Sequence, residues 1–99
     1  MTLKELLDDI HSLNRELEKY ERKFCITSED FYQLYQQGKL DEGEFEEIQE
    51  FCEWAGIYQI KVKQEQKFRK LSQSFIHELR QATPDRFRLA PRDELTEVP

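Results

Sequence analysis

Residues 3–24 read LKELLDDIHSLNRELEKYERKF, and their apolar side chains recur at alternating intervals of three and four positions. This spacing keeps one narrow apolar seam on a helix, as is typical of helices that pack lengthwise against another helix. Thr2 followed by Glu5 forms a capping box, so the helix should begin at the start of the chain and run to about Phe24. The seam comprises Leu3, Leu6, Ile10, Leu13, Leu17, Tyr20 and Phe24.

A second, short helix is predicted after the connection that follows Phe24. Thr27 or Ser28 would cap its start, and Gly38 would end it, because glycine readily adopts the left-handed conformation that closes a helix. Asp41 with Glu44 resembles another capping box and predicts the start of a third helix.

From residue 42 to residue 81 the chain contains no proline, which predicts one long helix with a bend near Gly56. Short connections make consecutive helices antiparallel neighbours, so this helix should fold back on the first. We therefore expect an all-α protein: a long, coiled-coil-like helical hairpin with a short intervening helix. Its core-facing stripe is predicted to be Phe45, Ile48, Phe51, Cys52, Ala55 and Tyr58.

The helical domain is predicted to span residues 1–82, because Thr83 and Pro84 end the helical pattern. Residues 83–99 contain too few apolar side chains for a core of their own. They are expected to be a disordered tail or an extended arm on another surface. Phe87 and Leu89 are the candidate contacts that would become ordered when a partner binds.

Catalysis, metal binding and cofactor binding have little support in the sequence. Cys25 and Cys52 form no CxxC pair and have no metal-ligand spacing with His11 or His77. Helices carry exposed histidines routinely, and Cys52 is expected to be a small buried side chain. With no signal-peptide pattern and no long apolar run, the expected location is the cytoplasm, without membrane contact.

Charge is distributed unevenly along the chain, whose net charge is −6. Residues 41–53 contain seven acids and no base, whereas residues 61–80 contain six bases and two acids. The two blocks could pair with each other, remain as solvated helix faces, or dock a partner of opposite charge. The hypothetical docking face consists of Glu46, Glu47, Glu50, Glu53 and Trp54. An equally good alternative places Trp54 over the intramolecular core.

Four short segments resemble small bacterial, especially cyanobacterial, antitoxin-like proteins, over about residues 14–65. The segments are YERKF at 20–24, SEDFY at 28–32, GKL at 38–40 and EWAG at 53–56. The resemblance implies a protein that binds the product of a neighbouring, toxin-like gene. Cys25 stands where this pattern has glycine, so the turn after the first helix is expected to differ. No DNA-binding antitoxin domain is recognisable.

These observations predict a noncatalytic protein-binding module, with the antitoxin-like role as its concrete form. Its partner would be a basic, toxin-like protein. One alternative is a self-assembling scaffold that uses the Leu3–Phe24 seam between chains. The other is a nucleic-acid-linked regulator that uses the basic stretch at residues 61–70, which the acidic net charge disfavours.

Overall fold

The computed structural model describes residues 2–41 and 43–82, which form three α-helices. Helix α1 spans Leu3–Phe24, α2 spans Ser28–Gln36, and α3 spans Phe45–Ala82. Contacts between Phe24 and Phe51 and between Tyr20 and Glu53 show that α1 and α3 run antiparallel. The predicted all-α hairpin with a short intervening helix is confirmed, while the predicted tail at residues 83–99 lies outside the described residues.

The first helix begins where its cap was predicted. The Thr2 hydroxyl oxygen accepts a hydrogen bond of 3.1 Å from the Glu5 backbone N–H. The bond satisfies one of the N–H groups that the first turn of a helix leaves without an intrahelical partner. Helix α1 then continues without interruption to Phe24.

The turn between α1 and α2 contains Cys25 in the left-handed conformation, with φ 56° and ψ 41°. The expectation that cysteine would change this turn is wrong, since Cys25 adopts the conformation that glycine favours. Thr27 caps α2 by accepting a 3.2 Å hydrogen bond from the Asp30 N–H. In addition, the Glu21 carboxylate accepts a 2.8 Å bond from the Ser28 N–H. These bonds offset the backbone strain at Cys25.

Gly38 ends the α2 region as predicted. Its φ is +67°, its N–H donates to the Tyr35 carbonyl at 3.2 Å, and the Lys39 N–H donates to the Leu34 carbonyl at 3.1 Å. This pair of bonds is the Schellman motif, which satisfies carbonyls at the end of a helix.

The predicted capping box at the start of α3 is wrong. The Asp41 carboxylate instead accepts a 3.3 Å hydrogen bond from the Gly43 N–H, and Gly43 has a φ of +62°. This local turn keeps residues 43 and 44 out of the helix, so α3 begins at Phe45. From there it continues through Gly56 without a break for 38 residues, about 57 Å at 1.5 Å per residue.

The apolar seam of α1 packs within the chain. Leu6, Ile10 and Leu17 are 0%, 7% and 2% exposed, and the other seam residues are partly buried. Side chains this deeply buried in one chain have no surface to offer a second chain. These three side chains belong to the core of one chain, and self-association through the partly exposed seam residues stays a prediction.

The core centres on Trp54, which is fully buried. Its ring lies parallel to the Phe31 ring, with centroids 3.7 Å apart, and stacks at 5.4 Å on Tyr20 and at 5.5 Å on Phe24. The indole N–H donates a 2.8 Å hydrogen bond to the hydroxyl of Ser28, which is also buried. Residues from all three helices therefore meet at one side chain.

The buried stripe of α3 differs from the predicted one. Phe51 and Ala55 are buried as expected, but Phe45 is 77% exposed and Cys52 is exposed. Phe45 is the first residue of α3. Cys52 lies beside the buried stripe, and its sulfur is 3.4 Å from the Tyr35 hydroxyl. Trp54 is buried instead of Cys52. Because α1 and α2 both pack against α3, they cover a wider part of the circumference of α3 than one helix would.

Substitution of Ser28 by alanine should destabilise the protein by about 1–3 kcal/mol, because it leaves the buried indole N–H of Trp54 unpaired. Trp54→Phe should also destabilise it, but the double variant should cost about 1 kcal/mol less than the sum. Urea unfolding followed by circular dichroism measures these values. Ser74→Ala, at an exposed site on α3, is the control. Additive costs would show that the hydrogen bond does not couple the two residues.

Substitution of Cys25 by glycine should stabilise the protein by about 1 kcal/mol, since the left-handed conformation costs a residue with a Cβ about that much. Cys25→Ser keeps the Cβ while removing the thiol, so its stability should remain near that of the parent protein. Thermal and urea unfolding of both variants provide the comparison. Equal stability of the glycine and serine variants would contradict the assignment of strain to the backbone.

Candidate protein-binding surface at the start of α3

Four carboxylates lie on the first turns of α3 and form what we term the acidic surface: Glu46, Glu47, Glu50 and Glu53. Glu46, Glu50 and Glu53 line a shallow hollow of about 460 Å³, which is completed by Gln49 on α3 and by Tyr20 and Lys23 on α1. The antiparallel packing of α1 on α3 brings these groups together. The structure thus places three of the predicted acids around one depression.

Lys23 provides the cation of this hollow. Its ammonium group lies 2.8 Å and 3.0 Å from the two carboxylate oxygens of Glu50, and 5.4 Å from the centre of the Phe24 ring. The hydrogen bond to Glu50 raises the pKa of Lys23, which therefore stays charged at neutral pH. Lys23 neutralises Glu50 and ties the end of α1 to the start of α3.

Tyr20 closes the other side of the hollow. Its hydroxyl donates to the Glu53 carboxylate at 3.5 Å, at the limit of hydrogen bonding. Burial raises the pKa of the Tyr20 phenol, and the charges of Glu53 and Glu50 raise it further. Tyr20 therefore remains protonated and able to donate at neutral pH. Its ring stacks on Trp54, so the surface rests directly on the core.

The remaining predicted site residues are not part of this hollow. Glu47 is exposed on another side of α3, and its carboxylate lies against Gly43. The assignment of Trp54 to the docking face is wrong, because its side chain is fully buried between aromatic rings. The alternative position, in the intramolecular core, is the observed one. Phe87 and Leu89 lie outside the described residues.

A second cleft, of about 590 Å³, lies between α2 and α3. Tyr32 and Tyr58 face each other there with ring centres 5.0 Å apart, and the Tyr32 hydroxyl accepts a 2.6 Å hydrogen bond from the Gln59 amide. Burial and the nearby charge of Glu29 raise the pKa of Tyr58. The contacts in this cleft dock α2 onto the middle of α3.

The basic stretch at residues 61–70 begins at this cleft, which Lys63 helps to line, and continues along α3. Lys61 is 3.4 Å from the Glu65 carboxylate and 5.6 Å from the centre of the Tyr58 ring. The other bases of the stretch are exposed: Lys63, Lys67, Arg69 and Lys70. One helix therefore carries acids at its start and bases around its middle.

Three contributors to the surface and its support were missed from the sequence: Lys23, Glu21 and the hydroxyl of Ser28. Lys23 and Glu21 face other elements only because of the way the helices pack, which the periodicity of α1 does not specify. A usable signal existed for Glu21, since an acid four residues before the α1–α2 turn is within reach of the positively polarised start of α2.

The histidines have ordinary surroundings. His11 is exposed on α1, and the His77 ring nitrogen lies 3.1 Å from the Gln81 amide. Across residues 2–41 and 43–82, no group of three or more His, Cys, Asp or Glu side chains is arranged to hold a metal ion. In the same ranges, no helix combines the length and the apolar character needed to cross a membrane.

Comparisons of the chain with protein-family models, with curated protein sequences and with solved structures gave no match.

Proposed function

We propose that the protein is a noncatalytic protein-binding module whose acidic surface binds a basic partner protein. The observation that carries this proposal is the density of negative charge at the start of α3. Four carboxylates occupy residues 46–53, and among the described residues only Glu50 has a cation within ion-pair distance. Exposed, uncompensated carboxylates on a fixed element attract a partner that carries lysine or arginine.

The shape of the surface favours a protein partner. Its hollow is shallow and is lined by carboxylates, an amide, a phenol and one ammonium group. Groups of this kind bind the side chains of another protein through hydrogen bonds and ion pairs at an interface rim. Because Lys23 and Tyr20 hold Glu50 and Glu53 against α1, part of the surface is already ordered before a partner arrives.

The concrete form of the proposal is an antitoxin-like protein that binds and restrains the product of a neighbouring gene. The resemblance of the four short segments supports it. In the fold, two of these segments contribute Ser28, Phe31 and Trp54, the buried residues that hold α2 and α3 together. The resemblance therefore concerns the framework that presents the acidic surface.

Reversal of two charges on the acidic surface, Glu46→Lys with Glu47→Lys, should abolish partner binding. Both side chains are exposed and form no ion pair among the described residues, so the loss would reflect repulsion of a basic partner. The measurement is affinity capture from extracts of the native host at low and moderate salt, with bound proteins identified by mass spectrometry. The parent protein should retain one basic protein in stoichiometric amount, and less of it at the higher salt.

Glu16→Lys with Glu18→Lys is the matched control, because it changes the net charge equally on an exposed part of α1. This control should still capture the partner, and circular dichroism should show that both variants remain helical. Equal capture by the control and the Glu46/Glu47 variant would remove the acidic surface from the proposal. Failure of the parent protein to retain any basic protein would refute the function itself.

A further inference from the structure

Helix α3 has an exposed side that begins at the hollow lined by Gln49 and Glu53 and continues along the helix beyond it. Spacings of three, four and seven residues return a helix to nearly the same side. On this side lie the residues that we term the outer stripe: Gln49, Glu53, Gly56, Ile60 and Lys67. All are exposed except Gly56, which is partly exposed.

The centre of the outer stripe is apolar and open. Ile60 is 52% exposed, compared with 38% for the exposed Ile76 of the same helix. One turn earlier, a Cβ added at Gly56 would meet no heavy atom within 4 Å apart from its chain neighbours and the backbone of its own helix. The side chain of Ile60 and the bare backbone of Gly56 allow another helix to approach closely at this point.

The charges on either side of Ile60 are arranged symmetrically and have opposite signs. Glu53 lies seven residues before Ile60, and Lys67 lies seven residues after it. The charges of α3 as a whole change sign in the same direction along the chain. Residues 46–53 contain four acids and no base, and residues 61–70 contain five bases and one acid. A helix with this pattern is complementary to an antiparallel copy of itself.

We propose that two copies of this protein pair through the outer stripe, with their α3 helices antiparallel and the Ile60 side chains in contact at a two-fold axis. In this arrangement Glu53 of each copy faces Lys67 of the other, which gives two equivalent ion pairs. A parallel arrangement would instead place the acids of one copy beside the acids of the other, and these like charges would repel each other.

The contact is short, since it has an apolar centre of one turn and charged residues on both sides. Interfaces of this kind are small and polar, so the dimer forms weakly and dissociates as salt screens the ion pairs. It is distinct from the seam of α1, whose central residues are buried inside the chain. It shares Gln49 and Glu53 with the hollow of the acidic surface, so it would compete with the proposed basic partner.

The test is sedimentation velocity of the full chain over a wide concentration range, at low and at high salt. The parent protein should change from monomer to dimer as its concentration rises at low salt. Ile60→Asp should raise the dissociation constant about tenfold or more, because it buries a charge at the centre of the contact. Ile76→Asp is the matched control and should leave dimerisation unchanged. Ile76 is the other markedly exposed isoleucine and lies on nearly the opposite side of α3.

A charge exchange tests the antiparallel pairing specifically. Glu53→Lys and Lys67→Glu should each dimerise less than the parent protein, since each brings like charges together. An equimolar mixture of the two variants should dimerise again, because the lysine at position 53 of one chain then faces the glutamate at position 67 of the other. A parent protein that stays monomeric at every concentration in low salt would overturn the proposal. Equal effects of the two isoleucine variants, or no recovery in the mixture, would overturn it as well.

Discussion

The hydrogen bond and ring contacts of Trp54 are the interactions on which the rest of the structure depends. The indole stacks on rings from α1 and α2, and its N–H reaches the hydroxyl of Ser28, the first residue of α2. Ser28 is in turn held by the Glu21 carboxylate of α1 through its backbone N–H. A short helix of nine residues has little stability of its own, so these contacts determine where α2 lies.

The elements of the fold could be predicted from local patterns, whereas only part of the core could, including Phe51 and Ala55. The seam of α1, the Thr2 cap and the Gly38 terminus each depend on a few neighbouring residues. The choice between Cys52 and Trp54 for the core depends on which side of α3 meets two other helices at once. Consecutive residues of a helix point about 100° apart around its axis. A small error in the predicted direction of the buried side of α3 therefore exchanges buried and exposed side chains.

The acidic surface was predictable as a run of charge but not as a site. Seven acids without a base are evident at residues 41–53, and the relative positions of the four that lie on α3 follow from helical spacing. The position of Lys23 against Glu50, by contrast, depends on the register between α1 and α3, which the apolar periodicity does not specify. Glu53 belongs both to the proposed partner-binding surface and to the proposed dimer contact. The two interactions would therefore compete, and a free acidic surface would be most abundant in dilute protein.

The charge distribution of α3 also affects the helix that carries it. The aligned peptide dipoles of a helix leave partial positive charge at its start and partial negative charge at its end. Glu46 and Glu47 lie in the first turn of α3, and Arg80 lies in the last. The charges of these side chains are opposite to the partial charges at the nearby helix ends, and this attraction stabilises the helical state of α3. Helix stability and the proposed binding of a basic partner therefore depend on the same carboxylates, and the stabilising effect of these residues on α3 requires no partner.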